Sequence, residues 1–144
     1  MYKLVILINA ILVMGASYVV AQAQSPTIDP AVVSPTMNTV LLENEYVRVI
    51  VYQINPGEKD DWHTHPAKVS YVISGGSLRI TTKEGASFIV EEEANSASWF
   101  GTVGEHYGEN VGKTPVRIVF VEIKGIDAGK ENLEKYQAVG KQDE

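Results

Sequence analysis

Apolar and polar positions from Thr39 onward recur in short runs with the two-residue period of β-strands, and turn residues separate the runs. Tyr46 to Tyr52 sets Val47, Val49 and Val51 against Tyr46, Arg48, Ile50 and Tyr52. Both faces are rich in β-branched and aromatic residues, which predicts a strand covered on both sides. Asn55-Pro56-Gly57 ends it with turn chemistry. Val69 to Ile73 and Leu78 to Thr82 flank Ser74-Gly75-Gly76-Ser77, the pattern of a hairpin, and Lys83-Glu84-Gly85 turns into Ser87 to Val90. Glu91-Glu92-Glu93 reads as a solvated edge, because adjacent like charges repel and seek water. Ser98 to Phe100, His106 to Asn110 and Val116 to Ile123 complete the series, with Gly112-Lys113-Thr114-Pro115 between the last two. This succession predicts an all-β sandwich or barrel over residues 39–126.

The flanks have a different character. Lys3, the apolar stretch from Leu4 to Val20 and the small-x-small triplet Ala21-Gln22-Ala23 predict a secretory signal peptide over residues 1–23. An uncleaved anchor is the competing reading; the run is short for it and is broken by Asn9 and Gly15. The mature chain is then periplasmic or secreted, with no stable membrane insertion after cleavage. Residues 24–38 hold Pro26, Pro30 and Pro35 among serines and threonines and read as an extended N-terminal arm. In the segment 127–144, Asp127 can cap a short C-terminal helix with Leu133, Tyr136 and Val139 on one side and Gly140 as its stop.

Composition narrows the chemistry. The 144 residues allow one domain, and removing Lys3 with the leader takes the net charge of −6 one unit further negative. A surface of that sign repels phosphate backbones, which excludes nucleic acid as a partner. There is no cysteine, so thiolate catalysis, thiolate metal sites and disulfides are excluded, and stability must come from the core. Histidine, carboxylate, tyrosine and lysine remain.

The chain holds three histidines. His63 and His65 are one residue apart after a glycine turn, and His106 lies in a second glycine-rich segment. Residues i and i+2 of a strand project to the same face, so His63 and His65 can reach one ion from a single strand end. Imidazole suits Zn, Cu, Fe and Ni. A surface pair beside the Pro66 turn, or histidines that only hydrogen-bond at a barrel mouth, are the competing readings.

Gly57, His63, His65, Gly75 and Gly76, then His106 and Asn110, resemble in spacing the two signature motifs of the cupin superfamily, G-x5-H-x-H-x3/4-E-x6-G and G-x5-P-x-G-x2-H-x3-N. Glu43 to Val49, leading into Asn55-Pro56-Gly57, resembles the opening strand of small single-domain cupins. The resemblance covers about residues 40 to 123 and implies a double-stranded jelly-roll barrel with a divalent metal, Fe, Mn, Ni or Zn, on the three histidines. The sequence departs from the pattern where the first motif's glutamate falls on Val69 or Ser70, and where Gly101 and Val103 stand in the proline and second-glycine positions. Either three histidines and water then hold the metal, or a nearby acid, Asp61 or Glu105, supplies a fourth ligand, or metal binding has been lost. If the strand continues past His65 without a bulge, Val69, Tyr71 and Ile73 share the inward face while Lys68 and Ser70 face out, and Tyr71 and Arg48 are the polar cavity candidates. Trp62, Trp99 and Phe100 are expected at the barrel mouth.

A divalent ion on three neutral ligands keeps its double charge in a low-dielectric pocket, which favours an anionic substrate or bound hydroxide. The resemblance thus implies a metal-dependent enzyme of dioxygenase or isomerase type, acting on a small anionic organic molecule. A non-catalytic module binding a small ligand is the alternative. Val116 to Ile123 is apolar on both faces, which suggests a homodimer surface.

Overall fold

The computed structural model describes residues 27–125. The predicted leader and the C-terminal helix lie outside the described residues. Nine strands follow a single helical turn, α1 (Pro30–Val33): β1 (Asn38–Glu43), β2 (Val47–Ile54), β3 (His63–His65), β4 (Lys68–Ser74), β5 (Gly76–Thr82), β6 (Ser87–Glu92), β7 (Ala97–Phe100), β8 (Val103–Asn110) and β9 (Val116–Ile123). They form a five-stranded sheet in the order β1-β2-β9-β4-β7 and a four-stranded sheet in the order β3-β8-β5-β6, with antiparallel pairing throughout. This is the expected all-β jelly roll. Ile50, Tyr52, Ile54, Val72, Leu78, Val116, Ile118 and Phe120 fill the space between the sheets. Burying each such aliphatic or aromatic side chain contributes roughly 1.5–3 kcal/mol.

Three local expectations change. Ser74-Gly75-Gly76-Ser77 is not a hairpin: β4 pairs with β7 and β9, while β5 pairs with β6 and β8, so the chain changes sheets here. The crossing is tight enough to demand glycine, since a Cβ on Gly75 would meet Glu92 O at 2.0 Å. The true hairpin joins β5 to β6, with Gly85 at φ +93° in its turn. Strand β2 is fully covered on its inner side only; Val47, Val49 and Val51 stay half-buried outside.

The third change concerns the arm. Residues 27–37 are packed rather than extended. Asp29 caps α1 by accepting Ala31 N–H at 2.9 Å, and Pro30 takes the first helical turn, where its missing N–H costs nothing. Ile28 and Thr64 exchange backbone and side-chain hydrogen bonds, and Asp29 pairs with Arg48 at 2.6 Å. These contacts tie the segment to β2 and β3, behind the histidines.

Candidate metal centre

His63 and His65 both point between the sheets from β3, and His106 stands opposite His63 in the β3–β8 register. The three rings lie with centroids 4.4 to 5.6 Å apart, and one ring nitrogen from each lies within 4.8 Å of the others. Each Nδ1 is engaged: His63 with Asp61 O at 2.7 Å, His106 with Gly104 O at 2.8 Å and His65 with Glu122 Oε1 at 2.9 Å. A carbonyl oxygen can only accept, and an ionised carboxylate likewise, so each Nδ1 carries the proton and donates it. Every Nε2 is left with its lone pair free, which is the state a metal ligand needs.

Burial keeps the rings in that neutral form. It lowers His63, holds His65 well below the ordinary imidazole range, and takes His106 down to about 3. Behind His65 runs a chain of charges: Glu122 accepts from Arg48 at 2.7 Å, and Arg48 reaches on to Asp29. Burial raises the Glu122 carboxyl, and Arg48 opposes that rise. The histidines open onto a cavity of about 70 Å³. Asp60 and Lys68 also line it, among apolar walls that include Leu78, Ile80, Phe100 and Phe120. Asp60 accepts Gly108 N–H at 2.6 Å and Tyr52 O–H at 3.0 Å, and burial raises its pKa.

No family model and no curated protein matches the chain. Among solved structures it is similar to a cupin domain from Bordetella pertussis Tohama I, at 29% identity and a TM-score of 0.57, over 61% of this chain and 92% of that one. The chain belongs to the cupin superfamily. An RmlC-like cupin family protein with a double-stranded β-helix fold from Methanocaldococcus jannaschii shares this cupin's fold, at 14% identity and a TM-score of 0.50, over 60% of this chain and 77% of that one. A protein with a double-stranded β-helix domain from Klebsiella pneumoniae is 26% identical with a TM-score of 0.48, over 66% and 84% of the two chains.

Around the histidines, this cupin departs from what its sequence suggests. Asp61 is exposed, and Glu105 pairs with Lys83 at 2.8 Å, so among the described residues neither acid joins the cluster. Tyr71 lies on the outer face, 44% exposed, and Val69 and Ile73 lie there with it. The cause is Pro66-Ala67, where the chain leaves the four-stranded sheet and enters the five-stranded one, so that parity restarts and Lys68, Ser70 and Val72 face inward. Arg48 does not line the cavity; it holds Glu122 from behind. Trp99 is on the outer face and 49% exposed, Trp62 packs edge-on against Tyr107, and Phe100 alone of the three lines the cavity.

Lys68, Asp60 and Glu122 escape a sequence reading. The proline after His65 was the one available sign that Lys68 would turn inward. Nothing local marks Glu122, which sits in the apolar run of β9 and meets His65 only across 57 positions of chain.

Proposed function

We propose that this cupin holds one divalent first-row transition ion, Fe, Mn, Ni or Zn, on Nε2 of His63, His65 and His106, and acts on a small anionic organic substrate in a reaction of dioxygenase or isomerase type. The observation that carries the reading is the three buried imidazoles, each with Nδ1–H committed to an acceptor, and with one ring nitrogen from each within 4.8 Å of the others. A bound ion would supply Lewis acidity, and redox chemistry if it is iron. The chain's own residues do the rest. Glu122 and the two carbonyls fix the tautomers and ring planes. Phe100, Phe120 and Val103 narrow the water-accessible space, and the Asp60 carboxyl, raised by burial, stands beside it as a proton acceptor or donor. Among the described residues no carboxylate joins the histidine cluster, which favours as the second reading a non-catalytic small-ligand-binding module on the same cavity.

Elemental analysis of protein purified without a metal-binding tag tests this. We expect near one first-row metal per chain, lost in His63→Ala and in His106→Ala. A wild type that neither carries such a metal nor takes one up from solution overturns the reading.

Two further proposals come with it. Residues 1–23 would direct export to the periplasm or outside the cell. The homodimer would form on the outer face of the five-stranded sheet, where Leu42, Val49, Val121, Val69 and Trp99 make one apolar row across all five strands. A row of this kind fits a second copy related by a two-fold axis. Light scattering is expected to give twice the chain mass, falling to one chain in Val69→Glu with Trp99→Glu; a wild-type monomer at working concentration rules the dimer out.

A further inference from the structure

Lys68 is the one cationic side chain in the cavity lining, 5% exposed, and its Nζ has no hydrogen-bond acceptor or ion-pair partner among the described residues. It rests 3.8 Å from the centroid of the Phe120 ring and 5.7 Å from that of Phe100. A ring face attracts a cation but accepts no ordinary hydrogen bond. Two of the acids that could have answered Lys68 are committed elsewhere, Glu122 accepting from Arg48 and His65 and Asp60 from Gly108 and Tyr52. The third, Glu92, also lines the cavity, and its charge, like theirs, favours the ammonium form. A buried ammonium without a partner is costly and therefore rare. Its pKa reflects that cost, since burial lowers it to about 7.

We propose that Lys68 Nζ is the anion anchor of this cavity, and that the ligand is a short-chain monocarboxylate held by its carboxylate between Lys68 and the histidine cluster, with its carbon chain on the phenyl and aliphatic walls. This deepens the functional reading above and rests on it for the choice of cavity. Three observations converge. The cavity of about 70 Å³ suits an acid of a few carbon atoms and is small beside the roughly 300–1,000 Å³ of pockets that take drug-sized ligands. Its walls also include Leu78, Ile80, Ile118, Phe100 and Phe120, which suit an alkyl chain, and the Glu92 carboxylate, which opposes a second negative charge on the ligand. Lys68 stands beside His65 on the chain, separated by two residues, and projects into the same space from the opposite sheet. An ion on three neutral imidazoles would add positive charge to that of Lys68, so both groups select the same sign of ligand.

The test is an NMR chemical-shift titration with sodium acetate, using acetamide as the neutral isostere, on metal-free and on zinc-loaded protein. Wild type, Lys68→Met and Lys68→Gln are compared, with metal content measured for each. Acetate is expected to bind the wild type and acetamide not to, and both variants are expected to lose about tenfold or more in acetate affinity while retaining their metal. Acetate affinity unchanged in the variants, acetamide bound as well as acetate, or no acetate binding by the wild type in either state overturns the proposal. The acetate–acetamide comparison needs no variant, so it decides even if both substitutions unfold the chain. Acetate binding that needs Lys68 in a protein that takes up no metal sinks the metal reading and leaves this one standing. Stoichiometric metal with acetate binding indifferent to Lys68 does the reverse.

Discussion

Glu122→Ala is expected to lower folding stability by about 3–5 kcal/mol, the usual consequence of removing one partner from a buried charged network. Glu122 is almost fully enclosed, accepts a hydrogen bond from Arg48 Nε, forms an ion pair with its Nη2 at 2.7 Å, and receives the Nδ1–H of His65. Without it the Arg48 guanidinium keeps only Asp29, and His65 has a buried donor with no acceptor. Glu122→Gln separates the two roles. It keeps the size and an acceptor oxygen while removing the charge, so the fold should survive with a smaller loss. Metal affinity is expected to fall 10- to 100-fold, the usual effect of losing a carboxylate behind a ligating imidazole. Urea unfolding together with metal titration reads both effects. Equal stability of Glu122→Ala and the wild type would show that the Asp29–Arg48–Glu122–His65 chain is not what holds β9 to β3.

Acid should destabilise the metal-free protein well before its surface carboxylates titrate. The folded-state pKa of His106 is about 3 against an ordinary 6.5, because the ring is buried. Between those values the unfolded chain binds a proton that the folded chain refuses, so the contribution of His106 is complete above pH 6.5 and is lost progressively as pH falls toward 3. His65 and His63 shift in the same direction. From His106 alone the loss between pH 6.5 and 5 amounts to about 2 kcal/mol. Lys68 acts over a higher range: its pKa is lowered from 10.5 to about 7, so its contribution is lost between those values and is flat in acid. Asp60 and Glu122, both raised by burial, take up protons earlier when folded and soften the fall at the acid end. His106→Leu is expected to reduce the slope of stability against pH by close to one proton. A wild type whose urea midpoint does not change between pH 7 and pH 5 would contradict the buried neutral rings.

Bound metal changes this behaviour in a direction that follows from the same chemistry. Metal and protons compete for the three Nε2 atoms, so the loaded protein is more stable at neutral pH and loses more on acidification. The comparison of loaded and metal-free curves therefore checks the site without any knowledge of the substrate.

Much of the molecule follows from short-range pattern. The alternation in β2 and β9, the turn at Asn55-Pro56-Gly57 and the hairpin around Gly85 are visible because a strand's faces are written at every second residue and a turn in its own few positions. The pairing of His63 with His65 follows from the same two-residue period, and His106 was available as the one remaining histidine. The mistaken points share a cause. Extending the parity of His65 through Pro66-Ala67 puts Tyr71 and Val69 inward, and Gly75-Gly76 gives the β4–β5 link the look of a hairpin. At both places the chain passes from one sheet to the other, and residue type does not distinguish a turn within a sheet from a crossing between two.

Strand pattern, the turn chemistry and three imidazoles were therefore enough to arrive at a β-barrel with a candidate metal site. Which charges accompany those imidazoles was decided by tertiary structure. Lys68 rather than Tyr71 faces the cavity because of a change of sheet, and Glu122 rather than Asp61 or Glu105 touches a histidine because β9 lies across from β3. Local alternation says which residues share a face; it cannot say which face looks inward after a break, nor which distant strand will lie opposite.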